Sequence, residues 1–305
     1  MIKKICDTFA PSGAEQRMTE YIKNEFHFDD AYTDKTGSLI VRRGNGKALC
    51  IECGIDTPGI MAVSSENGEI RFTGFGGISP QILTDRKIIF PSGAWGIVRC
   101  SGKCDENTKI SDLFAEIEGG SVNIGDFGVL DSEFCETDSR FFSNNLSAKA
   151  GLIAALSAIQ GPHGSSAGFT AAFTAQKRLG ARGIRSFFGN SDFEHVLTID
   201  SVSCGRGVKS GDGCAIIAKD TRCVSDPVFR RKIEDLAEDR GIRHYTAVCD
   251  DNLYIENITT AGKGAVCAAV CIPVGCKGQN LEYAAKSDIE SAAELIKEII
   301  IAWGK

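Results

Sequence analysis

The stretch FTAAFTAQKRLGARGI, residues 169–184, joins a buried strand to two adjacent cations. Its apolar run, 169–175, predicts a buried strand that ends just before Lys177, Arg178 and a glycine-rich turn. In open α/β sheets the ligand crevice lies at the carboxyl ends of the strands. The two cations therefore either line a site or lie in solvent. The other motifs of the sequence bear on which of these two interpretations is correct.

The overall composition is that of an ordinary globular protein. The chain has 305 residues, of which 43% are hydrophobic and 24% charged, and its net charge is -6. This charge argues against nucleic acid as a partner. No apolar stretch is long enough to span a bilayer, and the first residues turn polar too early for a signal peptide. We expect a cytoplasmic protein without membrane or nucleic-acid partners.

The thirteen cysteines are expected to be reduced thiols, because their number is odd and no secretion signal is recognised. Cys50 and Cys53 have a Cys-x-x-Cys spacing, but residues three apart in a strand point to opposite faces. We interpret them as small buried hydrophobic residues, and the cluster Cys267, Cys271 and Cys276 in the same way.

Two patterns divide the chain. Ser12 and Glu15 form a capping box before a helix, and the chain from Thr33 to Cys135 alternates short strands with glycine-bearing turns. After Ser143 helices and strands alternate. The sequence predicts an α/β domain of residues 1–59 and 143–305, interrupted by a β-rich domain of residues 60–142.

Two later helices have clear boundaries in the sequence. Ser225 is the expected N-cap of one of them, with Pro227 in its first turn and Gly241 just past its end. The final helix is predicted from Asp288 to Trp303. Both belong to the α/β part of the chain.

Seven segments, in chain order, resemble the dinuclear metallo-aminopeptidases of the tetrahedral (TET) type, which include glutamyl and lysyl aminopeptidases. They are PSGAE, TDKTGSLIV, GEIRFTGFGGI, VNIGDFGVLD, QKRLGARGI, VLTIDSV and CIPVGCKGQNLE. The resemblance implies a zinc-aminopeptidase-like mixed sheet flanked by helices, with an inserted small β-barrel-like domain. In the family that domain mediates dimerisation, from which twelve-subunit assembly follows.

The resemblance also implies a ligand set that this chain lacks. The family binds two metals through His, Asp, Glu, Asp and His, with a second Glu as general base. The corresponding residues here are Gly54, Ser147, Arg178, Asp200 and Gly278, with Lys177 at the position of the general base. Only Asp200 remains among the ligands, while Asp56, which orients the first His in the family, is retained.

One carboxylate cannot hold a divalent metal, and the cations Lys149, Lys177 and Arg178 would repel one. We therefore predict no metal, no cofactor and no catalytic residue, with Lys177 and Arg178 pairing Asp200 and Asp56. Zinc or cobalt enters only if a non-standard ligand set exists, for example through Cys276. The predicted remnant binding site consists of Asp56, Ser147, Lys149, Lys177, Arg178, Asp200 and Asp251.

Other candidate groups have structural explanations. A Ser147–Lys149 dyad is conceivable chemistry, but Ser147 can cap a helix and Lys149 can lie on its solvated side. The pair Asp250 and Asp251 falls near the family segment that approaches the substrate amine. The histidines, His27, His163, His195 and His244, have no metal-like spacing. If the correspondence between this sequence and the family shifts locally by a few residues, Glu282 or Asp192 would fall at a site position.

The resulting functional hypothesis is a diverged, catalytically inactive homologue. It would act as a subunit or regulator of an aminopeptidase assembly, either as a dimer-based homo-oligomer of up to twelve chains or together with an active paralogue. Its cationic pocket would bind acidic peptides or carboxylates. The alternatives are an active metal-dependent aminopeptidase with a non-standard ligand set, and a metal-free enzyme of another class.

Overall fold

The computed structural model describes residues 1–44, 48–66, 68–160 and 168–304. The amino-terminal part begins with two helices and continues into three strands of the main sheet. These elements are α1 (Ile2–Asp7), α2 (Gln16–Phe26), β1 (Asp30–Thr33), β2 (Leu39–Arg43) and β3 (Leu49–Gly54).

The next part of the chain closes a six-stranded barrel, in the order β4-β5-β8-β7-β6-β9. Its elements are β4 (Gly59–Glu66), β5 (Glu69–Phe75), α3 (Pro80–Leu83), β6 (Lys87–Ile89), β7 (Trp95–Cys100), β8 (Leu113–Gly119) and β9 (Phe127–Leu130). Alternation of apolar and polar residues, as in Glu69–Phe75, gives each strand one face for the barrel interior.

The remaining chain returns to the main sheet. Its elements are β10 (Phe134–Glu136), β11 (Arg140–Ser143), α4 (Ala150–Ile159), β12 (Phe169–Thr174), α5 (Arg182–Gly189), β13 (His195–Ser203), β14 (Cys214–Lys219), α6 (Pro227–Asp239), β15 (His244–Val248), α7 (Ile255–Thr259), β16 (Val266–Val274), β17 (Glu282–Ala285) and α8 (Lys286–Trp303). Strands β10, β11 and β17 form a separate three-stranded sheet.

The main sheet has eight strands in the order β1-β2-β12-β3-β13-β16-β14-β15. Its central strands β12, β3, β13 and β16 are mutually parallel. Strands β1 and β2 pair antiparallel to their neighbours, and β14 pairs antiparallel to β16 but parallel to β15. Parallel neighbours place their carboxyl ends at one edge of the sheet. The residues that follow these four strands are therefore brought together, including the two cations after β12.

Helices cover both faces of the main sheet. Apolar residues of α2, α4, α6 and α8 pack in one core cluster, and those of α5 and α7 pack in a second cluster on the other face. Because both faces are covered, the central strands are almost continuously apolar. The predicted fold class, a mixed sheet flanked by helices with an inserted small barrel, is confirmed. The domain boundaries and the dimerisation role of residues 60–142 stay predictions.

The predicted capping box does not form. The helix begins at Gln16, with Glu15 as an N-cap residue that makes no capping hydrogen bond. Ser12 Oγ instead donates to Asp56 Oδ2 (2.7 Å), and Glu15 Oε1 accepts from the backbone N–H groups of Gly13 and Gln176, both at 2.8 Å. Tertiary partners therefore replace the local cap.

Two helix boundaries differ from the sequence prediction, and one helix is additional to it. Asp226, not Ser225, is the N-cap of α6, since its carboxylate accepts from the backbone N–H groups of the first turn. Helix α8 begins at Lys286, two residues earlier than predicted, and α1 was not predicted. Among the described residues, none of the helices has the length and apolar character to cross a bilayer.

Candidate functional site

A cavity of about 300 Å³ opens at the carboxyl ends of the central strands, next to the turn at Gly76 and Gly77 that follows β5 of the barrel. It lies where the fold predicts a ligand crevice. Its ionisable lining residues are Asp56, Lys177, Arg178, Asp200, Asp251 and Lys277. Six of the seven predicted site residues therefore line the cavity, including Ser147, and Lys149 does not.

Lys177 crosses the floor of this cavity and joins two carboxylates. Its Nζ lies 2.8 Å from Asp200 Oδ2 and 3.3 Å from Glu52 Oε2. Glu52 is completely buried in β3 and also accepts a hydrogen bond from Thr174 Oγ1 at 2.7 Å. Lys177 is only 3% exposed, so these three charges form a buried triad.

The pKa values in the triad follow from burial and charge. Burial alone would lower the pKa of Lys177, but the carboxylates of Asp200 and Glu52 outweigh it and hold that pKa above its ordinary value. Burial would raise the pKa of Asp200, which Lys177 and Lys277 instead hold below its usual range. For Glu52 the effect of burial exceeds the opposing effects of Lys177 and Thr174, so its pKa is raised. Lys177 is therefore a permanent ammonium group.

Gly54 is required by the path of the lysine side chain. A Cβ atom at this position would lie 2.7 Å from Lys177 Cδ, closer than real Cβ contacts. The lysine stem therefore occupies the volume that any side chain at position 54 would need. A side chain at position 54 would therefore force the lysine stem to shift.

Arg178 and Asp56 are in contact, but the guanidinium group does not pair with the carboxylate as predicted. Asp56 Oδ2 accepts from Arg178 N at 2.8 Å, and Arg178 Nε lies 3.4 Å from the carbonyl oxygen of Asp56. Within the described ranges, the two terminal nitrogens of Arg178 have no hydrogen-bond or ion-pair partner. The terminal N–H groups of Arg178 are thus free to donate hydrogen bonds to a ligand.

Ser147 belongs to a hydrogen-bond system rather than to a nucleophilic dyad. Glu282 accepts from Ser147 N (2.6 Å), Ser147 Oγ (2.9 Å) and Gly278 N (2.6 Å). Ser147 Oγ donates to a carboxylate, and Lys149 Nζ donates to the carbonyl oxygen of Ile55, so the geometry does not support the dyad. Glu282 does lie in the site region, but its oxygens are already occupied.

Lys149 does not lie on a solvated helix side, as expected from the sequence. It is 1% exposed, and its Nζ lies 3.4 Å from the carbonyl oxygen of Ile55. Burial lowers the pKa of Lys149 to about 8, although the Cys6 thiol and Asp56 oppose this shift. The expectation failed because α4 is buried on almost all sides, which leaves no solvated face near its start.

Asp251 pairs with a lysine that sequence reasoning missed. Lys277 Nζ lies 2.8 Å from Asp251 Oδ1 and 2.9 Å from the carbonyl oxygen of Ser201. Asp251 also accepts from Ser203 N (2.8 Å) and Ser203 Oγ (3.0 Å). Its neighbour Asp250 turns to the surface and pairs with Arg206.

The remaining candidates lie outside the site. Of the histidines, His163 is outside the described residues, and His27, His195 and His244 do not line the cavity. Asp192 forms an exposed ion pair with Lys263. All thirteen cysteines are free thiols; Cys50, Cys53, Cys267 and Cys271 are buried, whereas Cys276 is exposed. Cys53 is the one cysteine that lines the cavity.

Two further residues complete the site and were not predicted. Glu52 is the partner of Lys177, and its signal was a single acidic residue within the apolar strand LCIECG. Tyr254 lines the cavity, with its ring centroid 5.9 Å from Lys177 Nζ. No pattern in the sequence identified Tyr254, since it precedes the short helix α7 in an irregular segment.

The fold is that of solved aminopeptidases, as the structural matches below show. The family model for M42 glutamyl aminopeptidase matches residues 109–295, more than half of the chain. The chain therefore belongs to the M42 glutamyl aminopeptidase family.

Individual relatives agree over nearly the whole length. A protein of Acetivibrio thermocellus named "Putative aminopeptidase" is 26% identical, covering 98% of this chain and 97% of its own. The TET1 peptidase of Pyrococcus horikoshii has a TM-score of 0.89 at 23% identity, covering 98% and 97% of the two chains. An aminopeptidase of Desulfurococcus kamchatkensis has a TM-score of 0.89 at 19% identity, covering 99% and 93%. The structural matches show the shared fold.

Family membership corrects the prediction that the chain takes no cofactor. M42 aminopeptidases are metal-dependent, so that prediction is wrong for the family to which this chain belongs. The described residues, however, do not fit a metal ion: among them no group of three or more His, Cys, Asp or Glu side chains is arranged to hold one. A metal at Asp200 would have to displace the Lys177 ammonium group from its 2.8 Å ion pair.

Proposed function

We propose that this member of the M42 family does not hydrolyse peptides. It acts as a non-catalytic subunit or regulator of an aminopeptidase assembly, and its cavity binds acidic peptides or carboxylates. The observation that carries the proposal is the buried ion-pair triad of Glu52, Lys177 and Asp200. A permanent ammonium group cannot accept a proton from an attacking water molecule. The position that the family resemblance assigns to the general base therefore carries no base.

The alternative is an active metal-dependent aminopeptidase with a ligand set of another kind. An assay for released N-terminal residues separates the two, using peptides with acidic, basic and apolar first residues, with zinc or cobalt added and after treatment with a chelator. We expect no release above background in any condition. Release that is abolished both by the chelator and by Asp200→Asn would overturn the proposal, because a contaminating peptidase would not respond to that substitution.

The assembly part of the proposal rests on the relatives. The Pyrococcus horikoshii TET1 peptidase is described as able to assemble into a tetrahedron or a large octahedral shell, and a related structure is a dodecamer. We propose a dimer-based homo-oligomer of up to twelve chains, or mixed assembly with an active paralogue, in the cytoplasm. Light scattering after size-exclusion chromatography tests the first arrangement, and co-purification from the native source tests the second. A monomer in light scattering, together with no aminopeptidase in the co-purified material, would contradict this part.

A further inference from the structure

The cavity offers a cation to a ligand but hardly any free carboxylate. Asp200 is paired with Lys177, and Asp251 is paired with Lys277. The third carboxylate, Asp56, is 3% exposed and already accepts from Ser12 Oγ and Arg178 N. A ligand ammonium group would have to compete with a protein lysine for each exposed carboxylate.

Arg178 is the complementary feature. Its stem lies against the turn at Gly76, where a Cβ atom would be 3.4 Å from both Cβ and Cδ of Arg178 and 2.9 Å from Pro58 Cα. Gly76 also has a φ of +73°, which favours glycine. The turn therefore holds the arginine stem closely. Arg178 lines the cavity, and its two terminal nitrogens have no partner in the described parts of the chain.

The rest of the lining is uncharged. Leu152, Ile199, Gly151 and the ring of Tyr254 surround the space next to the charged groups. A guanidinium group binds a carboxylate through two parallel hydrogen bonds, which gives affinity and orientation together. A volume of about 300 Å³ has room for one small acid or for the last residue of a chain.

From this arrangement we infer that the cavity selects carboxylates without a free α-ammonium group, with Arg178 as the anchor and the Lys277–Asp251 pair as the element that rejects amines. The ligand class is an N-acylated amino acid or the C-terminal residue of a peptide, both of which present a carboxylate beside an uncharged amide. This inference rests on the proposed non-hydrolytic function, since it gives the cavity a ligand whose recognition does not require a free N-terminus.

Calorimetric titration of the full-length protein tests the selectivity with matched probes. These are N-acetyl-leucine, free leucine and N-acetyl-leucine amide, together with a longer N-acetylated peptide ending in leucine. We expect N-acetyl-leucine to bind at least about tenfold more tightly than the amide, which lacks the carboxylate that pairs with Arg178. We expect the same margin over leucine, whose ammonium group would lie near Lys277 without a free carboxylate partner. Equal affinity for leucine and N-acetyl-leucine, or no binding at millimolar concentration, would overturn the inference. The longer peptide distinguishes a free small acid from a chain end.

Two variants assign the roles. Arg178→Gln should weaken N-acetyl-leucine at least about tenfold, and Lys277→Gln should strengthen free leucine by freeing Asp251, so that the discrimination falls. Lys263→Gln, in the exposed pair with Asp192, is the matched control and should change neither affinity. Unchanged discrimination in Lys277→Gln would refute its role. Because these are binding measurements, they remain readable whether or not the peptidase assay supports the proposed function.

Discussion

Replacing Lys177 by methionine removes the ammonium group between Glu52 and Asp200 while keeping most of the side-chain volume. Glu52 is completely buried and the Asp200 side chain is 20% exposed, so neither carboxylate gains full hydration in compensation. Removing one partner of a buried ion pair typically costs about 3–5 kcal/mol, a large part of the roughly 5–15 kcal/mol that stabilises a folded domain. We expect Lys177→Met to lower the free energy of unfolding by that amount near neutral pH.

The cost should depend on pH with a defined sign. Lys177 holds the pKa of Asp200 below its usual range, so this stabilisation is present above the unfolded pKa of Asp200 and is lost as the pH falls through the folded one. The pKa of Glu52 is raised, and without the opposing lysine it rises further, which makes the variant less stable as the pH increases. The cost of Lys177→Met should therefore be smaller at about pH 5 than at about pH 8.

Urea unfolding of four proteins gives the test: wild type, Lys177→Met, Glu52→Gln and the double variant. The coupling between the two positions should reach about 1–3 kcal/mol, because Glu52→Gln removes the charge that Lys177→Met leaves unpaired. Lys263→Met, in an exposed ion pair, is the control and should cost no more than about 0.5 kcal/mol. A cost below about 1 kcal/mol for Lys177→Met, or additivity within about 0.5 kcal/mol, would refute the buried triad.

Two further substitutions test the surroundings of the triad. Lys149→Met should stabilise the protein by about 1–3 kcal/mol at neutral pH, because a pKa lowered to about 8 reports a buried ammonium group. The wild type should gain stability as the pH rises from about 8 towards the ordinary lysine pKa, so the difference in urea unfolding should shrink there; a difference that grows would contradict the assignment. Gly54→Ala should cost about 1–3 kcal/mol through its contact with Lys177, whereas Gly102→Ala, with open space around it, should be nearly neutral. In a Lys177→Ala background the cost of Gly54→Ala in the same unfolding experiment should largely disappear, and an unchanged cost would show that the lysine stem is not its cause.

Local patterns were sufficient for the elements that position the site. The apolar run 169–175 predicts a buried strand, and β12 is buried throughout, as expected of a strand covered by helices on both faces. Lys177 and Arg178 were singled out because they follow such a strand at its carboxyl end. These inferences need only short-range information, since strand burial and strand ends are visible in a window of a few residues.

The contacts that give the site its chemistry are long-range and were therefore missed or misassigned. Ser12 was interpreted as a helix cap, although its partner Asp56 is 44 residues away. Glu52 and Lys177 are separated by 125 residues. No local window contains both members of such a pair. A lone acidic residue inside an apolar strand does, however, imply a distant cation, because a buried carboxylate without a partner is costly. That rule would have identified Glu52 and its need for a lysine.

Residues 52, 54 and 177 constrain the order in which they can be replaced. Lys177 requires glycine at position 54, because its stem fills the space of any side chain there. Lys177 in turn neutralises Glu52, which is completely buried and has no other cation partner in the described residues. A single substitution at position 177 leaves a buried carboxylate unpaired, and one at position 54 collides with the lysine. Attempts to convert this cavity into one with a different charge arrangement must therefore begin at Glu52, since Glu52→Gln leaves Lys177 its ion pair with Asp200, whereas a first substitution at position 177 or 54 creates an uncompensated charge or a steric conflict.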